Sequence, residues 1–430
     1  MTARKPAAYL KISGITFIAC LVFLAIFNWI VDPFGMFRIV EIQGFNKKKP
    51  EFYTHLRMTK AHAVRILKPD SIILGTSRAE YGLDPAHGAL HSHRESIPYN
   101  LALSSCRIFE ALQYLKHAHA VNPLKQAIIG LDMFMFNDAV KNEQDFDESR
   151  LVQHSVWNIS MGWLHDIVIS LISYKATMKS LYTIQNQNRK DLILYRIDGM
   201  RDDRYAWPRI QSKGGHRKVD LDTFRVKNPL SKETKGEKPF KMNNSIEYFR
   251  KLVHFCRIND VRLHLFISPV HARFLERQLK NGRYRQMEQW KREIVHAATF
   301  ENSKDADKGI VHLWDFSGYN SITTEPFPRL GDTRTQMKWF WESTHYKKET
   351  GNLIMDRMFG MENPKRRVPE DFGIKLNLDI MEKHLERIRN KRMEYVGSHR
   401  EDLFDIWKAE QINTVNKNRS ATLLSLNETR

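Results

Sequence analysis

An uncharged apolar segment near the amino terminus is the strongest constraint on how this chain can fold. Residues 12–31 contain no Asp, Glu, Lys or Arg and consist mostly of Ile, Val, Leu, Phe and Ala. About 20 such residues are needed for a helix to cross the hydrocarbon core of a bilayer. No run of small residues suited to cleavage follows, because the segment leads directly into Asp32 and Pro33. The pattern predicts an uncleaved transmembrane anchor.

Orientation is the next question, because basic residues lie on both sides of this segment. Lys11 precedes it, and Arg38 and residues 47–49 follow it. A large domain can be translocated across the membrane regardless of its charge, so the distribution of basic residues is only a weak guide to orientation here. We expect residues 1–11 to be a cytoplasmic tail and the main domain to be periplasmic. The protein would then be a single-pass protein of the cell inner membrane.

Composition describes the polar body that follows. The chain has 430 residues, of which 42% are hydrophobic, so one large or two ordinary domains can form a core. The formal net charge is +19, but the basic residues are spread along the chain instead of forming one arm. A basic balance of this kind suits a membrane surface, an anionic polysaccharide or nucleic acid. Nothing in the distribution favours nucleic acid, which we do not expect as a partner.

Short apolar segments alternate with helical patterns through this body. Five segments have strand length, namely 71–75, 98–103, 126–131, 261–267 and 310–314. Between them, apolar residues recur at helical spacing, as in Ile108, Leu112 and Leu115. This alternation predicts an α/β fold whose sheet is mostly parallel and covered on both faces. Reactive side chains should then gather at the carboxyl ends of the strands.

Two regions depart from this alternation. Residues 138–240 are predicted to be an insertion that caps the sheet edge, with a flexible basic loop at 201–241. For the charges of this loop, a solvated surface is favoured over a specific binding patch. Residues 361–430 are predicted to be a charged helical extension in which 380–392 is the clearest helix. The α/β domain would therefore span 45–360.

A serine follows the first predicted strand. Gly75 ends that strand, and Thr76, Ser77 and Arg78 stand where a helix must begin. At such a turn the free N–H groups of the first helical turn can stabilise a developing negative charge. Ser77 is thus placed as a nucleophile would be, whereas the alternative is that Thr76 or Ser77 only caps the helix.

A carboxylate and a histidine stand close together after the last predicted strand. Glu342 precedes His345 by three residues within an aromatic segment, on a predicted loop that leads into a helix. A carboxylate at this spacing can fix the tautomer of the imidazole and make it a competent general base. The same spacing also occurs in ordinary surface pairs, so this motif alone leaves both interpretations open.

Together these motifs resemble the SGNH/GDSL hydrolase superfamily. The sequences at 75–78 and 342–345 resemble its first and last blocks, while Tyr99 to Ser105 and Gly130 to Asp132 resemble the two intermediate blocks. The resemblance covers roughly residues 65–137 and 245–360. It implies a flavodoxin-like three-layer α/β/α sheet behind the N-terminal transmembrane helix. It further suggests the membrane-anchored branch that acts on acylated cell-surface polysaccharides.

The resemblance also assigns roles to individual residues. It implies a catalytic triad of Ser77, His345 and Glu342, and an oxyanion hole formed by Ser77, Ser105 and Asp132. Ser105 stands where the family has glycine, and Asp132 stands where it has asparagine. A charged carboxylate cannot donate a hydrogen bond to an oxyanion. Asp132 would therefore point elsewhere while Asn137 or another donor replaces it, or, if it does occupy the donor position, changing it to asparagine should raise activity.

The resemblance, together with the predicted anchor, leads us to expect a serine esterase that removes acyl groups, chiefly acetyl groups, from a cell-surface carbohydrate. The alternatives are a polysaccharide O-acetyltransferase that uses the same triad, and a polysaccharide-binding or assembly protein without catalysis, which Asp132 favours. We expect no cofactor and no metal, since nucleotide-binding loops and metal-ligand spacings are missing from the sequence. Cys106 and Cys256 could form a disulfide.

Overall fold

The computed structural model describes residues 4–91, 95–152, 161–227, 240–280, 283–304 and 311–406. Its strands are β1 (Ser71–Leu74), β2 (Pro98–Asn100), β3 (Gln126–Leu131), β4 (Arg262–Ile267), β5 (His312–Asp315), β6 (Phe340–Glu342), β7 (His345–Tyr346) and β8 (Ile374–Leu376). Its helices are α1 (Arg4–Val31), α2 (Leu56–Leu67), α3 (Ser77–Gly82), α4 (Ile108–Val121), α5 (Met161–Ile172), α6 (Tyr174–Gln185), α7 (Ala206–Ser212), α8 (His216–Lys227), α9 (Asn243–Ile258), α10 (Ala272–Lys280), α11 (Tyr284–Ser303), α12 (Lys348–Phe359) and α13 (Leu378–Ser398).

One six-stranded sheet organises the fold, in the order β2-β1-β3-β4-β5-β8. The first five strands of this order are parallel, and β8 joins β5 antiparallel. In register, Ser71 faces both Pro98 and Gln126 on its two neighbours. The carboxyl ends of β1, β2 and β3 therefore meet at one edge of the sheet. The predicted mostly parallel α/β sheet is confirmed.

Both faces of the sheet are covered by other elements, so consecutive residues of β1 are buried in two different cores. Ile72 and Leu74 pack into a core that contains side chains of α2, α4, α9 and α11. Ile73, between them, packs on the opposite face with Ala79 of α3 and Leu353 of α12. A strand that is apolar at every position is what two covered faces require. Helices on both sides of the sheet explain why these segments are continuous apolar runs.

The carboxyl-terminal region adds a strand that the sequence did not reveal. Three residues of β8 pair with β5, with Leu376 opposite Leu313, and so short a segment shows no period of its own. The predicted helix 380–392 is confirmed within the longer α13. Met381 and Leu385 bury that helix against the main core, so this part of the extension belongs to the domain. The rest of the extension, residues 407–430, lies outside the described residues.

The basic end of the insertion was predicted to be a loop, and for residues 206–227 this is wrong. Two helices, α7 and α8, occupy this stretch, while residues 228–239 lie outside the described part. The buried groups of α8 are polar: His216 hydrogen-bonds Trp341 and Met337, and Asp220 pairs with Arg273. A helix held by buried polar contacts has no apolar stripe to reveal it in the sequence.

Glycines allow the elements around β1 to approach closely. Gly75 has φ +142°, and a Cβ there would lie 2.9 Å from the carbonyl oxygen of Gly130 on the neighbouring strand. At the other end of α3, a Cβ on Gly82 would lie 1.8 Å from the ring of Tyr346. A Cβ on Gly351 would lie 1.7 Å from the Gly82 carbonyl oxygen. Only glycine fits these contacts without displacement.

The N-terminal helix is the one described helix that is long and apolar enough to cross a membrane, over Ala8–Val31. This length and composition fit a single membrane span or a signal anchor. Its last turn is firmly held, since Asn46 donates to the Ile30 carbonyl (2.6 Å) and Lys49 to the Val31 carbonyl (2.7 Å). These donors satisfy two of the carbonyls that a helix end leaves free.

The cysteines are not paired. Cys106 and Cys256 are buried free thiols, and Cys20 is exposed on α1. Burial raises the pKa of both the Cys106 and the Cys256 thiol. The two buried residues therefore act as small apolar core residues, and the disulfide considered from the sequence is not formed.

Candidate active site

The turn after β1 places Ser77 at the carboxyl edge of the sheet. Thr76 has extended backbone angles and its hydroxyl accepts a hydrogen bond from the Arg78 N–H, so Thr76 is the N-cap of α3. Ser77 is the first helical residue, and its own N–H has no acceptor within the helix. Its side chain is half-buried. Capping is thus the role of Thr76, which leaves the Ser77 hydroxyl available for other contacts.

Glu342 and His345 lie on a tight hairpin, where a loop had been predicted. They end β6 and begin β7, and they face each other in the antiparallel register. The turn between them consists of Ser343 and Thr344. The hairpin directs both side chains to the same side because directly opposed residues share a face of the ladder. Its two short strands carried no recognisable period in the sequence.

The hairpin brings His345 to Ser77, although the two residues are 268 positions apart. The distance between Ser77 Oγ and His345 Nε2 is 2.8 Å. On the other side of the ring, His345 Nδ1 is hydrogen-bonded to Glu342 Oε1. Because a carboxylate can only accept, we assign the imidazole proton to Nδ1, which leaves Nε2 to accept from the serine hydroxyl. The expected convergence of Ser77, Glu342 and His345 is found.

Glu342 is held as a charged acceptor. Thr344 donates to it twice, from its N–H (2.8 Å to Oε2) and from its hydroxyl (2.6 Å to Oε1). Burial alone would raise the pKa of Glu342, but His345 and these hydrogen bonds outweigh burial and lower the pKa to about 2. The carboxylate is therefore ionised throughout the neutral range, as stabilising an imidazolium requires.

Ser105 has the backbone geometry that its position requires. Its φ of +57° lies in the left-handed region, which explains why a glycine would serve at the same place. The preceding loop is fixed at two points: Leu103 N–H donates to the Gly75 carbonyl (3.0 Å), and Arg57 donates to the Ser104 carbonyl (3.0 Å). No hydrogen bond to the Ser105 N–H is formed within the described residues. The Ser105 N–H, the donor expected for an oxyanion hole, is thus not used by another acceptor of the described residues.

Asp132 is engaged as an acceptor. Its Oδ2 accepts from the Thr76 hydroxyl at 2.6 Å, and its Oδ1 is paired with the Arg78 guanidinium. Asn137, considered as a substitute donor, uses its side-chain oxygen to accept from the Ala139 N–H. Asp132 therefore supports the turn that carries Ser77, and neither residue is placed by these contacts as an oxyanion donor.

Arg78 is the site residue that sequence reasoning missed. Besides pairing with Asp132, it donates from Nε to the Thr344 carbonyl at 2.9 Å. It thereby ties together the start of α3, the end of β3 and the hairpin that carries His345. Its position next to Ser77 was visible, but its partners lie 54 and 266 residues away in sequence. Only the folded chain reveals that Arg78 links the blocks of the site.

This arrangement reverses the expected effect of changing Asp132. Asp132→Asn would leave the largely buried Arg78 without its counter-charge and weaken the support of the Ser77 turn. For the esterase expected from the sequence, we predict lower acyl-ester hydrolysis by this variant, together with a free energy of unfolding reduced by about 1–3 kcal/mol, measured by urea denaturation. Asp371→Asn, which changes an exposed aspartate bonded to Ser321, is the matched control. Faster hydrolysis by the Asp132→Asn variant would show that position 132 is an oxyanion donor after all.

Two other polar residues at strand ends have structural roles. His271 is buried and its Nε2 lies 2.7 Å from the Glu325 carbonyl, with burial lowering its pKa to about 3. Asp315 ends β5 and pairs with Lys291 and His384 inside the protein. Both are satisfied by their partners. Across the described ranges, no cluster of three or more His, Cys, Asp or Glu side chains is arranged to hold a metal ion.

No protein-family model matches the sequence, and no curated protein matches it.

Proposed function

We propose that this protein is a membrane-anchored serine esterase that removes acyl groups, chiefly acetyl groups, from a cell-surface carbohydrate. The observation that carries the proposal is the continuous hydrogen-bonded chain from the Ser77 hydroxyl through His345 to Glu342. Nucleophile, base and orienting carboxylate are joined in the order that acyl transfer needs. Ser77 and His345 are half-buried, so a substrate can reach them, while Glu342 is buried.

The mechanism follows from the positions of these groups. His345 Nε2 takes the hydroxyl proton as Ser77 Oγ attacks the ester carbonyl, and Glu342 stabilises the imidazolium that forms. The N–H groups of Ser77 and Ser105 hold the negative oxygen of the tetrahedral intermediate. The intermediate collapses to acyl-Ser77 as the bond to the sugar oxygen breaks and His345 gives its proton to that oxygen, releasing the sugar hydroxyl. Water, activated by the same histidine, then releases the acid and restores the serine.

The fold supports the resemblance on which the substrate class rests. The order β2-β1-β3-β4-β5 of the parallel strands is the flavodoxin-like order. The regions that resemble the family's blocks lie at the carboxyl ends of β1, β2 and β3 and just before α12. Contacts of Ser77, Asp132 and Thr344 join three of these regions. The carbohydrate substrate and the placement of the domain outside the cytoplasm are inferred from the family resemblance and from the predicted anchor.

A two-part labelling experiment tests chemistry and location separately. In the first part, a fluorophosphonate should label purified full-length protein on Ser77, as read by mass spectrometry of its peptides, because an activated serine attacks the phosphorus and displaces fluoride. Unlabelled Ser77 would contradict the esterase proposal. In the second part, a charged, membrane-impermeant fluorophosphonate should label the protein in wall-free cells. Labelling only after the cells are lysed would place the domain in the cytoplasm.

A further inference from the structure

The two helices α5 and α6 expose apolar side chains and bury polar ones, the reverse of a helix on a water-soluble domain. On α5, the exposed residues are apolar except for His165, while Gly162, Asp166 and Ser170 face the protein. Helix α6 exposes Lys175 and Gln185 beside its apolar residues. On α6, Ala176, Ser180 and Thr183 face the protein. The exposed apolar residues are Met161, Leu164, Val168, Ile169, Ile172, Tyr174, Met178 and Leu181. Helix α13 shows the ordinary pattern, with Met381, Leu385 and Ile388 buried.

Two of the inward polar residues, Asp166 of α5 and Ser180 of α6, hold these helices to the rest of the fold. Asp166 accepts from Arg150 Nε at 2.9 Å and lies 3.3 Å from His62 Nε2. Ser180 donates to the side chain of Asn28 on α1 at 2.8 Å. Such contacts fix the pair of helices against the domain. They also fix which face points outward, so the exposed apolar face is not the product of a loosely placed segment.

Asn28 joins the two helices to the anchor. It lies in the last turn of α1 and donates to the Leu171 carbonyl (2.8 Å) and the Thr177 hydroxyl (3.0 Å). The connection between α5 and α6 is therefore beside the end of the apolar segment Ala8–Val31. Ile26 and Trp29 of α1, on either side of Asn28 in sequence, are exposed apolar residues as well. If α1 is in a bilayer, this connection must lie at the bilayer surface.

We propose that α5 and α6 form a second membrane-contacting element, an interfacial hairpin whose apolar face lies in the outer part of the lipid leaflet. Each helix has 12 residues and is about 18 Å long, too short to cross a hydrocarbon core of about 30 Å. Tyr174 and Lys175 at the connection, with Trp29 nearby on α1, are residue types that favour the headgroup region. An amphipathic helix at that depth buries its apolar face about 5–10 Å into the boundary.

This inference rests on α1 being the membrane anchor and is independent of the proposed esterase activity. The anchor decides between possible occupants of the face. A soluble partner or a second copy would have to displace lipid already brought to the Asn28 contact by α1. Lipid needs no further binding event, because α1 belongs to the same chain and its hydrogen bonds from Asn28 hold α5 and α6 beside the bilayer.

The test uses full-length protein reconstituted in phosphatidylcholine–phosphatidylglycerol vesicles. Cys20→Ser removes the exposed thiol, and Cys106 and Cys256 are buried. In this background, Val168→Cys or Ile172→Cys provides the single thiol that carries a fluorescent bimane. Met393, 72% exposed on α13, gives the matched control label. We expect nitroxide placed near the lipid headgroups to quench Val168 and Ile172 labels more than aqueous iodide does, and the reverse at Met393.

Each other outcome overturns the proposal. Stronger quenching by iodide at both α5 positions would mean that this face is in water. Protection from both quenchers would mean that protein covers it, and spin–spin broadening between nitroxides attached at the same positions would identify a second copy. A label at Leu164 provides a third position if either variant folds poorly, as judged by circular dichroism in the vesicles.

Discussion

Replacing Ser77 with alanine is expected to reduce acyl-ester hydrolysis by about 10⁴-fold or more, because the covalent route through the enzyme is lost. What remains would come from binding and from the N–H groups that hold the oxyanion. The measurement is release of acetate from an acetylated sugar or an aryl acetate by the purified full-length protein. The Ser77 hydroxyl bonds to His345, at the surface of the site and not in the core, so the fold should be unchanged by circular dichroism.

The matched control for this variant is Ser398→Ala, which removes an exposed hydroxyl on α13. It should hydrolyse ester at the wild-type rate. If wild type and Ser77→Ala release acetate at the same background rate, the esterase proposal is wrong. Acetyl transfer from one sugar to another by wild type, lost in Ser77→Ala, would instead identify a transferase that uses the same serine.

Replacing Glu342 with glutamine is expected to lower kcat by about 10⁴-fold with little change in KM. Glutamine has the same shape but no charge, so it cannot stabilise the imidazolium. Its amide can also donate to Nδ1, which would move the ring proton to Nε2 and leave no acceptor for the Ser77 hydroxyl. A KM that rises while kcat stays constant would show instead that Glu342 contributes to substrate binding.

Glu342→Asp serves as the comparison for this prediction because it keeps the charge on a shorter side chain. It should retain more activity than the glutamine variant, although the contacts with Thr344 and His345 must lengthen. Equal loss in both variants would mean that the reach of the carboxylate, and not its charge, limits the reaction. A glutamine variant within about tenfold of wild type would contradict the assigned role.

Local patterns were sufficient to predict much of the fold and of the candidate site. The apolar run before Gly75 is a strand, and the residues after it begin a helix, because both depend on neighbours in sequence. The position of Ser77 at the end of β1 followed from the general behaviour of parallel sheets. Glu342 and His345 lie instead on an antiparallel hairpin, and their place beside Ser77 was implied by the family resemblance. Their meeting could therefore be expected before any contact was seen.

Interactions between distant residues could not be predicted in this way. From the sequence alone, Asp132 was interpreted as a defect in an oxyanion hole. In the structure it is the hydrogen-bond partner of Thr76 and the ion-pair partner of Arg78. The helix α8 was hidden because its buried side chains are charged or polar and pair with Arg273 and Trp341. In each case the deciding partner is far along the chain, and a charge pattern alone does not reveal whether the charge is buried.

The close packing at Gly82 has a consequence for the chemistry at the other end of its helix. Helix α3 is one short rigid body, capped by Thr76 at the end that carries Ser77 and pressed against Tyr346 and Gly351 at the other. Because Tyr346 directly follows His345, this contact also fixes the position of the histidine relative to helix α3. The packing of the Tyr346 ring on the Gly82 backbone therefore contributes to the distance between Ser77 Oγ and His345 Nε2, although neither Gly82 nor Tyr346 takes part in the reaction.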